Sequence, residues 1–339
     1  MKAVVYDAPG RFSVTSVATP EPGPGEVRVA MAATGVCGTD LHINDGTFFA
    51  SFPLTPGHEP YGVVDALGDG VEGLERGGRV AVNGNSGCGR CEFCARGRPL
   101  LCRNLRALGV TGPGGFAEFM LAPAGQCFPI DDLEHDAAVM VEPTACAVHG
   151  LETLELRPGS DALLFGAGPT GLMLAQLLAA NGAARVTVAA PTAFKLDVAR
   201  ALGADEIVQI PRDDAAEVER RLREVAPQGF DVVVDATGAA SVSELAVALA
   251  KDGGTVLWYG VTRPDDRVAL SPYDVYRREL TIKGSFAQVS SFPQAIAALR
   301  SGRVRTDGVV THRFALDDFA GALAAVRSDA SCLKAVVEL

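Results

Sequence analysis

A two-lobed α/β protein, with one irregular β-rich lobe and one doubly wound parallel sheet, is what the sequence predicts. Three observations carry that reading. The chain has 339 residues, more than the about 100–200 of a typical single domain. Its first part consists of short apolar segments broken by glycine and proline. From about Ser160 it changes to regular strand–helix alternation, the pattern that folds as a parallel sheet with helices on both faces.

In order, Lys2–Tyr6, Glu26–Ala33, Gly62–Leu67 and Gly78–Val82 read as strands, parted by turn clusters such as Pro20-Glu-Pro-Gly-Pro-Gly25. Helical periodicity in this half is confined to about Asp136–Leu154. Asp161–Phe165 is then a buried strand and Pro169–Asn181 an apolar helix. The alternation continues through Arg185–Ala190, Phe194–Leu202, Glu206–Ile210, Ala215–Ala226, Phe230–Asp235, Ser241–Ala250 and Thr255–Gly260, with a sixth strand at Leu280–Phe286. A helix at Phe292–Arg300 and strands at Val309–Phe314 and Ala335–Glu338 follow. The expected division is residues 1–146 with 287–339 in the β-rich domain and 147–286 in the parallel-sheet domain.

Cys88, Cys91, Cys94 and Cys102 place four of the eight cysteines within fifteen residues. Such spacing lets four thiolates converge on one tetrahedral zinc ion, at about 2.3 Å each, in a closed shell with no position for a substrate. A disulfide cluster is the alternative, but nothing else in the chain speaks for export. This lobe, residues 86–104, is therefore read as a structural zinc site, and the chemistry must lie elsewhere. The net charge of −11, from 30 basic and 41 acidic residues, repels nucleic acid and anionic membranes, so neither is expected as a partner. The N-terminal Met1–Asp7 has no apolar signal core and no apolar run reaches about 18 residues, which points to the cytoplasm.

Gly166-Ala-Gly168-Pro169-Thr170-Gly171 stands where the first strand of the alternating region meets its first helix. There glycines form a tight turn and bring backbone amides to a pyrophosphate, so the turn predicts a dinucleotide site. The second strand should end in an acid that grips the adenosine ribose. It ends instead Val188-Ala-Ala190-Pro-Thr192, with Lys195 and Arg200 just beyond. Without the carboxylate a ribose 2′-phosphate is not repelled, Thr192 can donate a hydrogen bond and Lys195 a charge, and NADP is favoured over NAD. Upstream, Cys37 and His58 lie in two glycine-flanked turns, with Glu59 and Glu142 as available carboxylates. A catalytic zinc needs three protein ligands and an open position, and these residues could supply it.

Gly57-His-Glu59-x-x-Gly62 with Gly68 and Val71 resembles the signature of the zinc-containing alcohol dehydrogenases. Cys37-Gly-Thr39-Asp40-x-His42, the four-cysteine lobe, Val141-Glu-Pro143 and the Gly166–Gly171 turn follow in that family's order over essentially the whole chain. The pattern is similar to the zinc-dependent medium-chain dehydrogenase/reductases, on the sorbitol, polyol and threonine dehydrogenase side. That resemblance implies a GroES-like catalytic domain beside a Rossmann domain. It implies Cys37 and His58 as catalytic-zinc ligands with Glu59 or Glu142 as the third, and two zinc ions per chain. It implies Thr39 and His42 as a relay that carries the substrate's proton outward through the cofactor ribose. The cofactor set under it is Gly166, Gly168, Pro169, Thr170, Gly171, Thr192, Lys195 and Thr237.

The expected reaction moves a hydride between NADP(H), or NAD(H), and a secondary alcohol of a polyol, sugar alcohol or cyclitol. Threonine or a simple alcohol is the alternative within the family, and a homodimer or homotetramer is the expected assembly. A zinc-free quinone or enoyl reductase is disfavoured because it would have no use for Cys37, His58 and Glu59 together. A zinc-lobe binding protein is disfavoured by the acidic charge. Phe48, Phe49 and Phe286 are candidates for the pocket. Three positions depart from the family: Gly78 replaces an aspartate, Ala190 the ribose acid, and Ala287-Gln288 an Arg-Tyr pair that touches substrate in several polyol dehydrogenases. Cys127, Cys146, Cys332, His135, His149 and His312 are assigned no role.

Overall fold

The computed structural model describes residues 1–339 as two compact units, Met1–Ala145 with Gln288–Ser301 and Gly308–Leu339, and Cys146–Ala287 with Gly302–Asp307. The first unit opens with the antiparallel pair β1 (Lys2–Ala8) and β2 (Arg11–Ser16). Its longest strand, β3 (Glu26–Val36), alternates sides, with Val27, Val29, Met31 and Ala33 buried, as a period of two requires. A seven-residue helix, α1 (Gly38–Asn44), follows immediately. Next come β4 (Glu59–Leu67), β5 (Arg79–Val82), the small hairpin partners β6 (Asn85–Ser86) and β7 (Arg106–Ala107) with α2 (Glu92–Ala95) between them, β8 (Phe119–Pro123) and β9 (Cys127–Pro129).

The helix expected over Asp136–Leu154 is two helices, α3 (His135–Val139) and α4 (Val141–Leu154). Pro143 is the reason. Inside a continuous helix its ring would clash with the carbonyl four residues back, that of Val139, whereas in the first turn of a new helix its missing N–H is not needed. The helix therefore restarts after Met140.

The second unit realises the doubly wound pattern. It runs β10 (Asp161–Phe165), α5 (Pro169–Ala180), β11 (Arg185–Ala190), α6 (Ala193–Ala201), β12 (Glu206–Gln209), α7 (Ala215–Val225), β13 (Phe230–Asp235), α8 (Ala240–Leu249), β14 (Ala250–Trp258), α9 (Pro272–Arg277) and β15 (Thr281–Gly284). The six strands are parallel in the order β12-β11-β10-β13-β14-β15. The order reverses between β10 and β13, and ligands of such sheets bind outside the strand ends at that point. Leu163, Phe165, Phe230, Val233 and Val256 of the strands share one core with Leu222 of α7 and Leu249 of α8. The sixth strand is shorter than expected because its pairing with β14 ends at Trp258↔Gly284; α9 carried no sequence expectation.

The chain closes with α10 (Phe292–Arg300), β16 (Val310–Ala315), α11 (Phe319–Ser328) and β17 (Lys334–Glu338). The last strand pairs antiparallel with β3, Val336 opposite Gly35. The resulting seven-stranded sheet has the order β16-β17-β3-β4-β5-β9, with β8 also on β3. Tyr6, Phe116, Phe319, Leu323 and Val337 pack its core. No helix is long and apolar enough to cross a membrane.

Candidate active site

Residues from three separate parts of the first unit meet at the ends of β3 and β4. Cys37 directly follows β3 and caps α1. His58 and Glu59 enter β4, where Glu59 pairs with Gly35 of β3. Cys37, His58 and Glu59 each offer a ligand atom, all within 4.8 Å of one another. Glu142, in the first turn of α4, is also buried, but it is not a member of this group of three.

Two residues support the trio. Asp40, 2% exposed, accepts the Cys37 N–H on Oδ2 at 2.9 Å, so it secures the first turn of α1. Its Oδ1 faces His58 Nδ1 at 3.6 Å. A carboxylate on one ring nitrogen leaves the other, Nε2, as the ligand nitrogen. Burial alone would lower the His58 pKa; the Asp40 carboxylate and the Cys37 thiol outweigh it and raise it. The second support is Lys334 of β17, ion-paired to Glu59 Oε2 and donating to the Val36 carbonyl at 3.1 Å. Gly35 leaves room for this pair, since a Cβ there would lie 1.9 Å from Glu59 Oε2.

The arrangement suits a divalent cation. Asp40 Oδ1 and His58 Nδ1 are buried atoms without a full hydrogen bond, and a thiol, an imidazole and a carboxylate form a donor set that zinc takes readily. Thr39 Oγ1 lies 3.8 Å from Cys37 Sγ. His42 stands three residues further along α1, on the same face of the helix, with Nδ1 3.0 Å from Thr47 Oγ1.

In the four-cysteine lobe, Cys88, Cys91, Cys94 and Cys102 likewise offer their sulfurs within 4.8 Å of one another. All four are free thiols, with Cys91 Sγ 3.6 Å from Cys94 Sγ and 3.7 Å from Cys102 Sγ. The Cys88 and Asn104 amides donate to Cys102 Sγ at 3.2 and 3.3 Å. Amides of Arg90 and Cys91 pull the Cys88 pKa down to about 6. Backbone donors aimed at sulfur favour thiolate, the form that binds metal.

In the second unit, Gly166 turns the chain after β10 with φ 101°, and a Cβ there would crowd Thr237 at 3.1 Å. Gly171 lets α5 approach the turn, since its Cβ would lie 2.3 Å from the Gly166 carbonyl. Gly168 caps α5 and has nothing within 4 Å of its Cβ position. The space over Gly168, at the N-terminus of a twelve-residue helix whose second residue is Thr170, is where a pyrophosphate fits. Thr237 is held by Asp235, a buried carboxylate at the end of β13 that also accepts from Ser243. At the end of β11, Ala190 is buried and Thr192 caps α6 without a side-chain bond to its amides. Lys195 lies on the first turn of α6, its ammonium 5.9 Å from the Phe194 ring.

The remaining expectations divide. Phe48 and Phe49 stack with ring centroids 4.5 Å apart. Phe286 belongs to the other unit and is 42% exposed. Gln288 is fully buried and donates to Asn83 Oδ1 at 2.9 Å, so the position of the family's substrate-touching tyrosine is occupied by an inward-turned structural amide. Asp40 and Lys334 were not identified from sequence. The Asp40 signal was available, three residues past a helix cap; Lys334 gave none, being 275 positions from its partner.

Comparison with known proteins identifies the family. Residues 23–132 match the family model described as alcohol dehydrogenase GroES-like domain, and residues 169–301 the one described as zinc-binding dehydrogenase. D-arabinitol dehydrogenase 1 of Uromyces fabae is 46% identical over all of this chain and 97% of its own length. D-altritol 5-dehydrogenase of Agrobacterium fabrum is 34% identical, covering 98% of each chain. A Sinorhizobium meliloti protein described as a zinc-binding dehydrogenase and crystallised with NADP superposes with a TM-score of 0.94 at 35% identity, over 100% of this chain and 99% of the other. The chain belongs to the zinc-dependent medium-chain dehydrogenases, on the branch of the polyol and threonine dehydrogenases.

Proposed function

We propose that this oxidoreductase interconverts a secondary alcohol of a polyol and its ketone with NADP(H), using one zinc at Cys37, His58 and Glu59 and a second in the four-cysteine lobe. The observation that carries the reading is the meeting of a thiol, an imidazole and a carboxylate within 4.8 Å, with a hydroxyl and a second imidazole on the adjoining helix. Zinc held there supplies Lewis acidity, which lowers the pKa of an alcohol and polarises a carbonyl, while the nicotinamide supplies the hydride acceptor.

The chain's own groups do the rest. Thr39 accepts the hydrogen bond of the substrate hydroxyl, and His42, one turn along α1, takes its proton on to water, as a general base does. Asp40 holds His58 in orientation, and Lys334 balances the charge of Glu59. The Gly166–Gly171 turn grips the cofactor phosphates, and Asp235 holds Thr237 beside it. The 2′-phosphate preference is supported by the methyl side chain of Ala190 and the free Thr192 hydroxyl. The polyol class is supported by the D-arabinitol and D-altritol relatives. Four cysteines converging as metal-type ligands support a reducing compartment, the cytoplasm. β15, an open edge strand beside the exposed Tyr273 and Tyr276, supports assembly with further copies, since such edges pair readily.

Turnover of pentitols, hexitols, cyclitols, threonine and simple secondary alcohols with each nicotinamide tests the reading. A pentitol or hexitol with NADP should give the highest kcat/KM. Preference for threonine, or for NAD, overturns the substrate or the cofactor part respectively.

A further inference from the structure

We propose that Thr47 is a positioning residue for the proton relay, holding His42 as the Nδ1–H tautomer and so leaving Nε2 as its basic nitrogen. The inference rests on the relay reading given above. It begins with how α1 ends. Gly46, at φ 70°, donates to the Ile43 carbonyl at 3.1 Å, and the Thr47 amide donates to the His42 carbonyl at 2.9 Å. This pair of bonds is the Schellman ending of a helix, which a left-handed glycine permits. It folds Thr47 back over the turn that carries His42.

The Thr47 hydroxyl then lies 3.0 Å from His42 Nδ1 and 3.3 Å from the His42 carbonyl oxygen. A hydroxyl has one hydrogen and can donate to only one of them. If it donated to Nδ1, two oxygen lone pairs would face each other at the carbonyl contact. If it donates to the carbonyl, which can only accept, its own lone pair is free for an Nδ1–H. Only the second arrangement makes both contacts favourable, as a chain from ring N–H to hydroxyl to carbonyl in which each bond strengthens the next. The charged neighbour of His42, Asp45, is engaged by Arg327 at 2.6 Å, so the hydroxyl is left to orient the ring. A base needs its lone pair on the nitrogen that meets the proton, and a ring fixed with Nδ1 protonated presents Nε2.

The test compares Thr47→Val, which keeps the branched shape and loses the hydroxyl, with Thr47→Ser, which keeps the hydroxyl. Ring-nitrogen chemical shifts of isotope-labelled histidine, at a pH where the imidazole is neutral, report the tautomer directly and without turnover. The wild type and Thr47→Ser should show Nδ1–H at His42, and Thr47→Val should lose it. In the same enzymes kcat should fall about tenfold or more for Thr47→Val, up to the about 10²–10⁴ that a whole general base contributes, with KM for the cofactor little altered and with recovery in Thr47→Ser. An unaltered tautomer in Thr47→Val, or equal losses in both variants, overturns the proposal. A His42→Gln enzyme of undiminished kcat overturns the relay reading and the catalytic half of this inference; the chemical shifts still decide whether Thr47 sets the tautomer.

Discussion

Replacing Lys334 by methionine removes the ammonium ion-paired to Glu59 while keeping the length of the side chain. The side chains of Lys334 and Glu59 are 3% and 1% exposed, so water cannot take over the carboxylate's charge. Breaking a buried ion pair by deleting one partner costs about 3–5 kcal/mol, because the other is left uncompensated. The Val36 carbonyl also loses its ammonium donor. For a domain of about 150–250 residues each kcal/mol shifts Tm by about 2–4 °C, so the loss should read as about 6–20 °C. Scanning calorimetry measures it on protein freed by chelation of any zinc at Cys37, His58 and Glu59, which would itself balance the carboxylate, with zinc content determined on the same sample. The double variant Lys334→Met/Glu59→Gln isolates the pair: with the carboxylate neutralised, it should lose less than the single change by about 1–3 kcal/mol. A Lys334→Met protein as stable as its parent, or a double variant no better than the single, would refute the reasoning and mean that another group balances Glu59.

Two further outcomes follow from the sites. Cys94→Ser opens the closed thiolate shell of the lobe, so zinc should drop from two ions per chain to one and Tm should fall, while the kcat of the protein that stays folded changes little; a fully stable variant with lost turnover would contradict a structural role. Ala190→Asp restores a carboxylate where a 2′-phosphate would lie, and two like charges about 4 Å apart repel by about 4 kcal/mol at an effective dielectric constant of 20. The NADP/NAD ratio of kcat/KM should therefore fall at least tenfold, and an unmoved ratio would show that the end of β11 does not discriminate.

The parallel-sheet half was the more legible because its central strands β10, β11 and β13 are buried on both faces. Leu163–Phe165 and Val232–Val234 read as apolar runs whatever their neighbours, and the helices between them keep the alternation regular. α1 was hidden for the opposite reason. Its seven residues carry only Asp40 and Ile43 inward, too few for a helical period, and it is held by its capping bond and its glycine ending. α11 was missed because Ala-Gly-Ala-Leu-Ala-Ala shows little contrast between faces.

What the sequence determined by itself is chemistry that depends on close spacing. The four-cysteine lobe, the Gly166–Gly171 turn and the Cys37–His42 segment each bring their groups together within one loop or one helical turn, so order and interval suffice. What only the tertiary structure decided is which distant groups share a buried space. β17 pairing with β3 delivers Lys334 to Glu59, α1 turns Asp40 toward His58, the end of that helix lays Thr47 on His42, and Gln288 points into the protein. Such pairings follow from strand register and helix orientation, and burial then obliges each charge to find its partner.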